Sequence, residues 1–264
     1  MKRLATVGAV LILFSSAIAA GPIEFYFSGG PSAAALTDIQ AIVDRLNAII
    51  AELNDTIATL PDIVGEVQPI DAIGGQVAYQ AGERYWFGER LALGAKLEGF
   101  RVFTSTQGAY ASSEASEISV DLNCYAVGLL AGARYDFLSV NLLLSGDLGF
   151  GYYYSAFDRA VTFQIPPEYP TAISGLPPEG SARYSALAPG IMAGLSLHFP
   201  ITDWLAVGSS LFYRSLVIGG MSDSEGVSMD LDGDGTAEKV DLSGITVQVT
   251  FSLAFDLSPQ REKE

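Results

Sequence analysis

The stretch "VNLLLSGDLGFGYYYSAF", residues 140–157, decides the fold. One parity carries Val140, Leu142, Leu144, Leu148, Phe150, Tyr152 and Tyr154. The other carries Asn141, Ser145, Asp147, Gly149, Gly151, Tyr153 and Ser155. This is the two-residue period of an extended strand, whose successive side chains point to opposite faces. "ITVQVTFSLAFDL", residues 245–257, repeats it, with Val247, Val249, Phe251, Leu253 and Phe255 set against Gln248, Thr250, Ser252, Ala254 and Asp256. The alternation predicts eight strands, near 22–29, 70–86, 89–105, 117–136, 139–157, 182–199, 203–219 and 240–257.

Alternation alone does not say whether the apolar face meets a soluble core or lipid. The polar face decides. It is made of Gly, Ala, Ser, Asn and Gln, as in Ala206, Gly208 and Ser210 or Gly190, Gly194 and Ser196, rather than the Lys, Glu and Thr of a water-facing sheet. Small side chains suit the narrow inside of an eight-stranded barrel. Its few charges are of both signs: Arg84, Lys96, Arg134 and Arg214 against Glu24, Glu98, Asp147 and Asp256. Buried charges must pair, so an internal ion-pair network is expected, for example Lys96 with Glu98 or Asp147. The bulky face then meets lipid.

Loop lengths follow the same logic. Short connections near 86–89, 136–139 and 199–203 alternate with long ones at 30–69, 105–117, 157–182 and 219–240. Such alternation belongs to membrane barrels with periplasmic turns and external loops. Two aromatic girdles are predicted: Tyr85, Trp86, Phe87, Tyr135, Phe137, Phe199, Trp204 and Phe255 beside the short turns, and Phe100, Phe103, Tyr152, Tyr154, Tyr184 and Tyr213 beside the long loops. Pro189, inside a strand, predicts a bulge because it deletes a ladder donor.

On these features the chain resembles the small eight-stranded outer-membrane β-barrel family, across most of residues 22–257. The closing "VQVTFSLAFDL" looks like the terminal sorting strand of such barrels, although the chain runs on through "SPQREKE". The resemblance implies an all-β fold: an antiparallel transmembrane barrel in outer-membrane lipid, with both termini periplasmic. It does not imply a role, since one architecture hosts anchors, adhesins, pores and lipid-modifying enzymes.

"MKRLATVGAVLILFSSAIAA" has Lys2 and Arg3, an apolar run and a small-residue end, and reads as a signal peptide over 1–20. The barrel is then expected over 21–258 with a periplasmic tail at 259–264. Loss of Lys2 and Arg3 takes the formal net charge from -16 to -18. That charge disfavours nucleic acid as a partner. Cys124 is the only cysteine, which excludes an intramolecular disulfide and reads as a small apolar filler.

The first long loop carries a helical insertion at 33–60. Leu36, Val43, Ile50 and Ile57 recur every seven residues, interleaved with Ile39, Leu46, Leu53 and Leu60. Two readings stand: a lid over the barrel mouth, or self-association or a partner helix through Leu36, Ile39, Val43, Leu46, Ile50, Leu53 and Ile57. A periplasmic helix before a differently counted barrel is a third.

In the fourth long loop, "SMDLDGDGTAEKVDLSG" places Asp230, Asp232, Asp234, Gly235, Thr236, Glu238 and Asp241 at the ligand spacing of a calcium loop. Calcium ligands are expected at Asp230, Asp232, Asp234, Thr236, Glu238 and Asp241. With no flanking helices and a short Asp241 in the closing place, the affinity expected is on the order of 10⁻⁴ to 10⁻³ M, a structural extracellular site. A solvated acidic turn is the competing reading.

Chemistry for catalysis is thin. His198, the only histidine, stands beside a short turn. No carboxylates pair by spacing, and the glycines of "SGDLGFG" lie in mid-strand with no following helix to make a phosphate cradle. The expectation is a non-enzymatic envelope anchor displaying a helical cap, with a small-solute pore as the alternative.

Overall fold

Strands of alternating parity need a partner on each side, and here the sheet closes on itself. The structure, a computed structural model, describes residues 22–59, 64–70, 76–111, 115–140, 142–164, 180–231 and 235–255. Its elements are β1 (Ile23–Ala34), α1 (Thr37–Ala58), β2 (Val64–Val67), β3 (Gln76–Phe87), β4 (Leu91–Ala111), β5 (Ala115–Val140), β6 (Leu142–Gln164), β7 (Gly180–Pro200), β8 (Leu205–Ser215), β9 (Val217–Ile218), β10 (Val240–Asp241) and β11 (Gly244–Phe255).

The ring runs β1-β3-β4-β5-β6-β7-β8-β11 and returns to β1. Every pairing is antiparallel, and closure comes through Ile23↔Phe255 to Ala34↔Gly244. Closure leaves the ring itself without an edge. β2 adds to the top of β4, and β9 pairs with β10 outside the ring. The fold is an all-β, eight-stranded antiparallel barrel with one helix inserted after the first strand.

The outward parity is apolar on all eight strands. Phe27, Tyr79, Leu97, Val127, Phe150, Leu195, Leu211 and Val249 are each about half exposed and follow one another round the barrel. An unbroken exposed belt of this kind has no soluble use and is the lipid-facing surface of a transmembrane barrel. The chain is an outer-membrane barrel on this architecture.

Several boundaries differ from the sequence reading. β1 runs to Ala34, so 33–34 is strand and the helix begins at Thr37 rather than 33. Leu36, at φ 45°, makes the turn between them, held by its N–H to the Asp241 carbonyl at 2.8 Å. The expected loop 105–117 is mostly strand, because β4 and β5 continue pairing out to Ala111↔Ala115. The stretch expected as strand at 70–86 begins at Gln76. Pro189 makes no bulge: it stays in register with Tyr152, and β8 ends at Ser215 opposite Ile191. The proline thus lies in a part of β7 with an open edge, where a missing donor costs no ladder bond. The one register shift of the β5–β6 ladder falls between Asp136 and Leu138. Leu60, the segment 1–21 and the segment 256–264 lie outside the described residues.

Candidate functional site

Inside the barrel, one side of each strand converges on a filled lumen. At the short-turn end Glu24, Arg84, Arg134, Asp136, Asp147 and His198 meet. Arg134 Nε donates to Asp136 Oδ1 at 2.8 Å, and its Nη1 lies 3.8 Å from Glu24 Oε1 and 3.2 Å from His198 Nε2. Arg84 lies 3.5 Å from Asp147 and 4.0 Å from Glu24, with its guanidinium 4.0 Å over the Tyr26 ring. Ser196 Oγ donates to Asp147 at 2.7 Å. A pocket of about 210 Å³ opens at this end, between Trp86, Trp204, Arg134 and His198.

The middle tier is tighter. Arg214 Nη1 donates to Glu98 Oε1 at 2.8 Å, its Nε donates to the Leu242 carbonyl at 3.0 Å, and the guanidinium sits 3.9 Å over Phe100. The Tyr153 hydroxyl donates to the other Glu98 oxygen. All three residues are at most 1% exposed. Glycine makes room: a Cβ on Gly128 or Gly190 would strike the Tyr153 ring from either side, and one on Gly208 would come 2.9 Å from His198 Nδ1. This is the reason for the small residues on the polar parity.

The expected pairing of Lys96 is corrected. Glu98 goes to Arg214 and Asp147 to Arg84, while Lys96 makes no ion pair within 4.0 Å among the described residues. Its Nζ rests 5.3 Å from the Phe212 ring centroid instead. Arginine wins the carboxylates because its fork satisfies two acceptors at once. The girdles are also revised. Phe87, Tyr135, Phe137, Phe199, Trp204 and Phe255, and at the other end Tyr152, Tyr154 and Tyr213, face outward. Phe100 and Tyr184 are buried inside, and Trp86 lines the inner pocket.

Above Glu98 the interior turns mainly apolar, with Gln76 and Arg159 buried among the apolar side chains, and merges with the underside of α1. Leu36, Ile39, Val43, Leu46, Ile50 and Leu53 join Phe100, Leu122, Phe157, Leu216, Ile218 and Leu242 in one buried cluster. The heptad seam is therefore consumed within this chain, since α1 covers the mouth between β2 and β10. Seam residues at most 8% exposed have no surface left for a second helix; the side chain of Ile57 is outside the described residues.

Two asparagines hold the lid. Asn54 exchanges two bonds with Val67, at 2.9 and 3.0 Å, and Asn47 exchanges two with Ile70, at 3.0 and 2.6 Å. Each carboxamide acts as a strand residue toward the returning chain. They stand seven residues apart, so they share one flank of α1. Sequence reasoning passed over them, although their heptad spacing was a visible signal.

Of the calcium-loop residues, the described carboxylates each accept a backbone N–H. Asp230 Oδ2 accepts the Gly235 N–H at 2.9 Å, Glu238 Oε1 accepts the Leu231 N–H at 2.7 Å, and Asp241, in β10, accepts the Ser243 N–H at 2.9 Å. Gly235 takes φ +83°, a left-handed conformation that favours glycine in either a calcium loop or a plain acidic turn. Thr236 lies in the segment leading to β10. Asp232 and Asp234 lie outside the described residues, and among the described ones no three His, Cys, Asp or Glu side chains converge on a metal position.

On the outer surface, beyond the apolar belt, Arg183 grips Asp158 through two bonds of 2.5 and 2.9 Å, and Arg101 Nε donates to Asn123 at 2.7 Å. The guanidinium of Arg183 holds the Asp158 carboxyl below its usual range.

No protein-family model matches the sequence, and no curated protein sequence matches it. Among solved structures, the chain is similar to outer membrane protein OprG from Pseudomonas aeruginosa, at 12% identity over 89% of this chain and 96% of that one, TM-score 0.37. It is similar to Ail, the attachment invasion locus protein of Yersinia pestis, at 13% identity over 89% and 99%, TM-score 0.35. It is similar also to the outer membrane protease OmpT from Escherichia coli, at 8% identity over 89% and 94%, TM-score 0.39.

Proposed function

We propose that this barrel is a non-enzymatic envelope anchor that presents α1 and the neighbouring outer segments at the cell surface, and that its lumen does not conduct. The observation that carries the reading is the double seal. Two tiers of side chains, the charge network around Arg84 and Arg134 and the Arg214–Glu98–Tyr153 contacts above it, fill the interior, and an apolar cluster roofs it with α1. A pore needs a wetted path with sites weak enough for a solute to leave. Here an ion would have to displace buried, paired charges and then cross an apolar roof.

The chemistry points away from catalysis as well. His198 is 1% exposed and its Nε2 accepts from Arg134 Nη1 at 3.2 Å, so that nitrogen is already engaged by a cation. A general base must reach the proton it takes. The acidic loop is proposed to bind calcium weakly as a structural tie between the ends of β8 and β11. Its support is the ligand spacing.

Planar-bilayer recording of the purified barrel tests the reading. The expected result is no steady, reproducible conductance. Stable unitary steps from the wild-type chain would replace the anchor with the pore.

A further inference from the structure

We infer that Arg159 anchors a binding site, in the outer part of the barrel interior, for a singly charged oxyanion that carries an apolar tail. The inference stands whether or not the barrel conducts.

Arg84, Arg134, Arg159 and Arg214 are all buried arginines on the inward parity. Three of them have carboxylate partners. Arg159 has none among the described residues. It is 6% exposed, and its Nε and Nη1 have no hydrogen-bond partner. An arginine cannot escape burial by losing its proton, so an enclosed guanidinium without a counter-charge is unstable as it stands. Something negative must complete it.

Its surroundings define what. Arg159 pairs with Leu122 on β5 and Ala182 on β7, and Phe157 and Val161 flank it on the same face of β6. Tyr184 stands opposite Phe157. Leu122, Phe157, Val161 and Tyr184 are buried members of the apolar cluster. One positive charge with unpartnered nitrogens fits one carboxylate or one phosphodiester, since the guanidinium fork matches a pair of oxygens on either group. The hydrophobic wall fits a tail, since a bare hydrated anion would gain nothing from Leu122 or Phe157 and would lose its water. The level is beyond the lipid belt, beside the outward Asp158–Arg183 pair, so a ligand would enter from the long-loop end.

The test is isothermal titration of the full-length barrel, held in amphipol, with decanoate as probe. Acetate keeps the charge without the tail, and decanol keeps the tail without the charge. The expected result is saturable binding of decanoate at one site. Affinity should fall about tenfold to a hundredfold in Arg159→Met, the usual scale for removing a charged hydrogen-bonding partner. Arg159→Lys should retain part of that affinity. Acetate and decanol should each bind at least about tenfold more weakly than decanoate. Heat-modifiable gel mobility checks that each variant is folded. The inference is overturned if decanoate binds Arg159→Met as it binds the wild type, if no saturable site appears, or if either control probe matches decanoate. A lysophospholipid that competes with decanoate would extend the head group to a phosphodiester.

Discussion

Removing the Asn54 carboxamide should loosen the lid and leave the barrel intact. Asn54 exchanges two hydrogen bonds with Val67, whose backbone is fully enclosed at 0% exposure. Each bond contributes about 0.5–1.5 kcal/mol net, and both Val67 groups would be stranded, so Asn54→Ala should cost about 2 kcal/mol locally. At about 1.4 kcal/mol per decade, that is roughly a thirtyfold rise in the opening of 64–70 away from α1. Asn47→Ala should do the same at Ile70. The two sites are about 10 Å apart along the helix, so the effects should nearly add, to about 4 kcal/mol or roughly a thousandfold. Alanine is the better helix former, so the loosening cannot come from α1 losing intrinsic stability. Hydrogen exchange with mass spectrometry, on protein in nanodiscs, reads this directly. Peptides over 64–70 should exchange faster, with 37–58 following, while β8 (205–215) stays protected. Unchanged exchange at 64–70 would refute the role assigned to the carboxamides. Equal loosening of β8 would show that lid and barrel are a single cooperative unit.

Glu98→Gln should destabilise the barrel by about 3–5 kcal/mol, read by urea unfolding in liposomes, because it leaves Arg214 enclosed with its charge uncompensated. Gly190→Ala should cost about 1–3 kcal/mol in the same assay, since its methyl would press on Tyr153 Cε2, 2.5 Å away, a ring already held from the Gly128 side. Millimolar calcium should slow proteolysis within 221–240, and Asp232→Asn with Asp234→Asn should abolish the protection. A cleavage rate in the parent chain that ignores calcium would reduce the loop to an acidic turn.

Much of this was legible in residue parity. The alternation of 140–157 gave both the lipid face and the filled face of β6, and inward charges at Arg84, Glu98, Asp147 and Arg214 were readable at once. Phe100, Tyr184 and Trp86 were misplaced because aromatic type was allowed to outrank parity. Each shares its parity with a buried neighbour, Glu98, Ala188 and Arg84 respectively. The tall β4–β5 hairpin was read as a loop for a physical reason. Beyond the belt, in "STQGAYASSEASE" (105–117), both faces are polar or small, so the period-two signal fades while the ladder continues. The unpaired Arg159 was hidden for a similar reason: β6 was expected to end at 157, and only its continuation to Gln164 places the arginine inside. Choosing lid over partner helix needed the packing itself, since a heptad seam looks the same against its own chain or another.

The central claim is a membrane-spanning barrel that holds α1 outside the cell and its short turns inside the envelope. In a Cys124→Ala background, Ala51→Cys on the exposed face of α1 and Asp203→Cys in the exposed β7–β8 turn each offer one thiol. Labelling of intact cells with a membrane-impermeant maleimide separates the two ends. The account predicts full labelling at 51 in intact cells and labelling at 203 only after the outer membrane is breached. Protection of 51 in intact cells, or free labelling of 203, would contradict it.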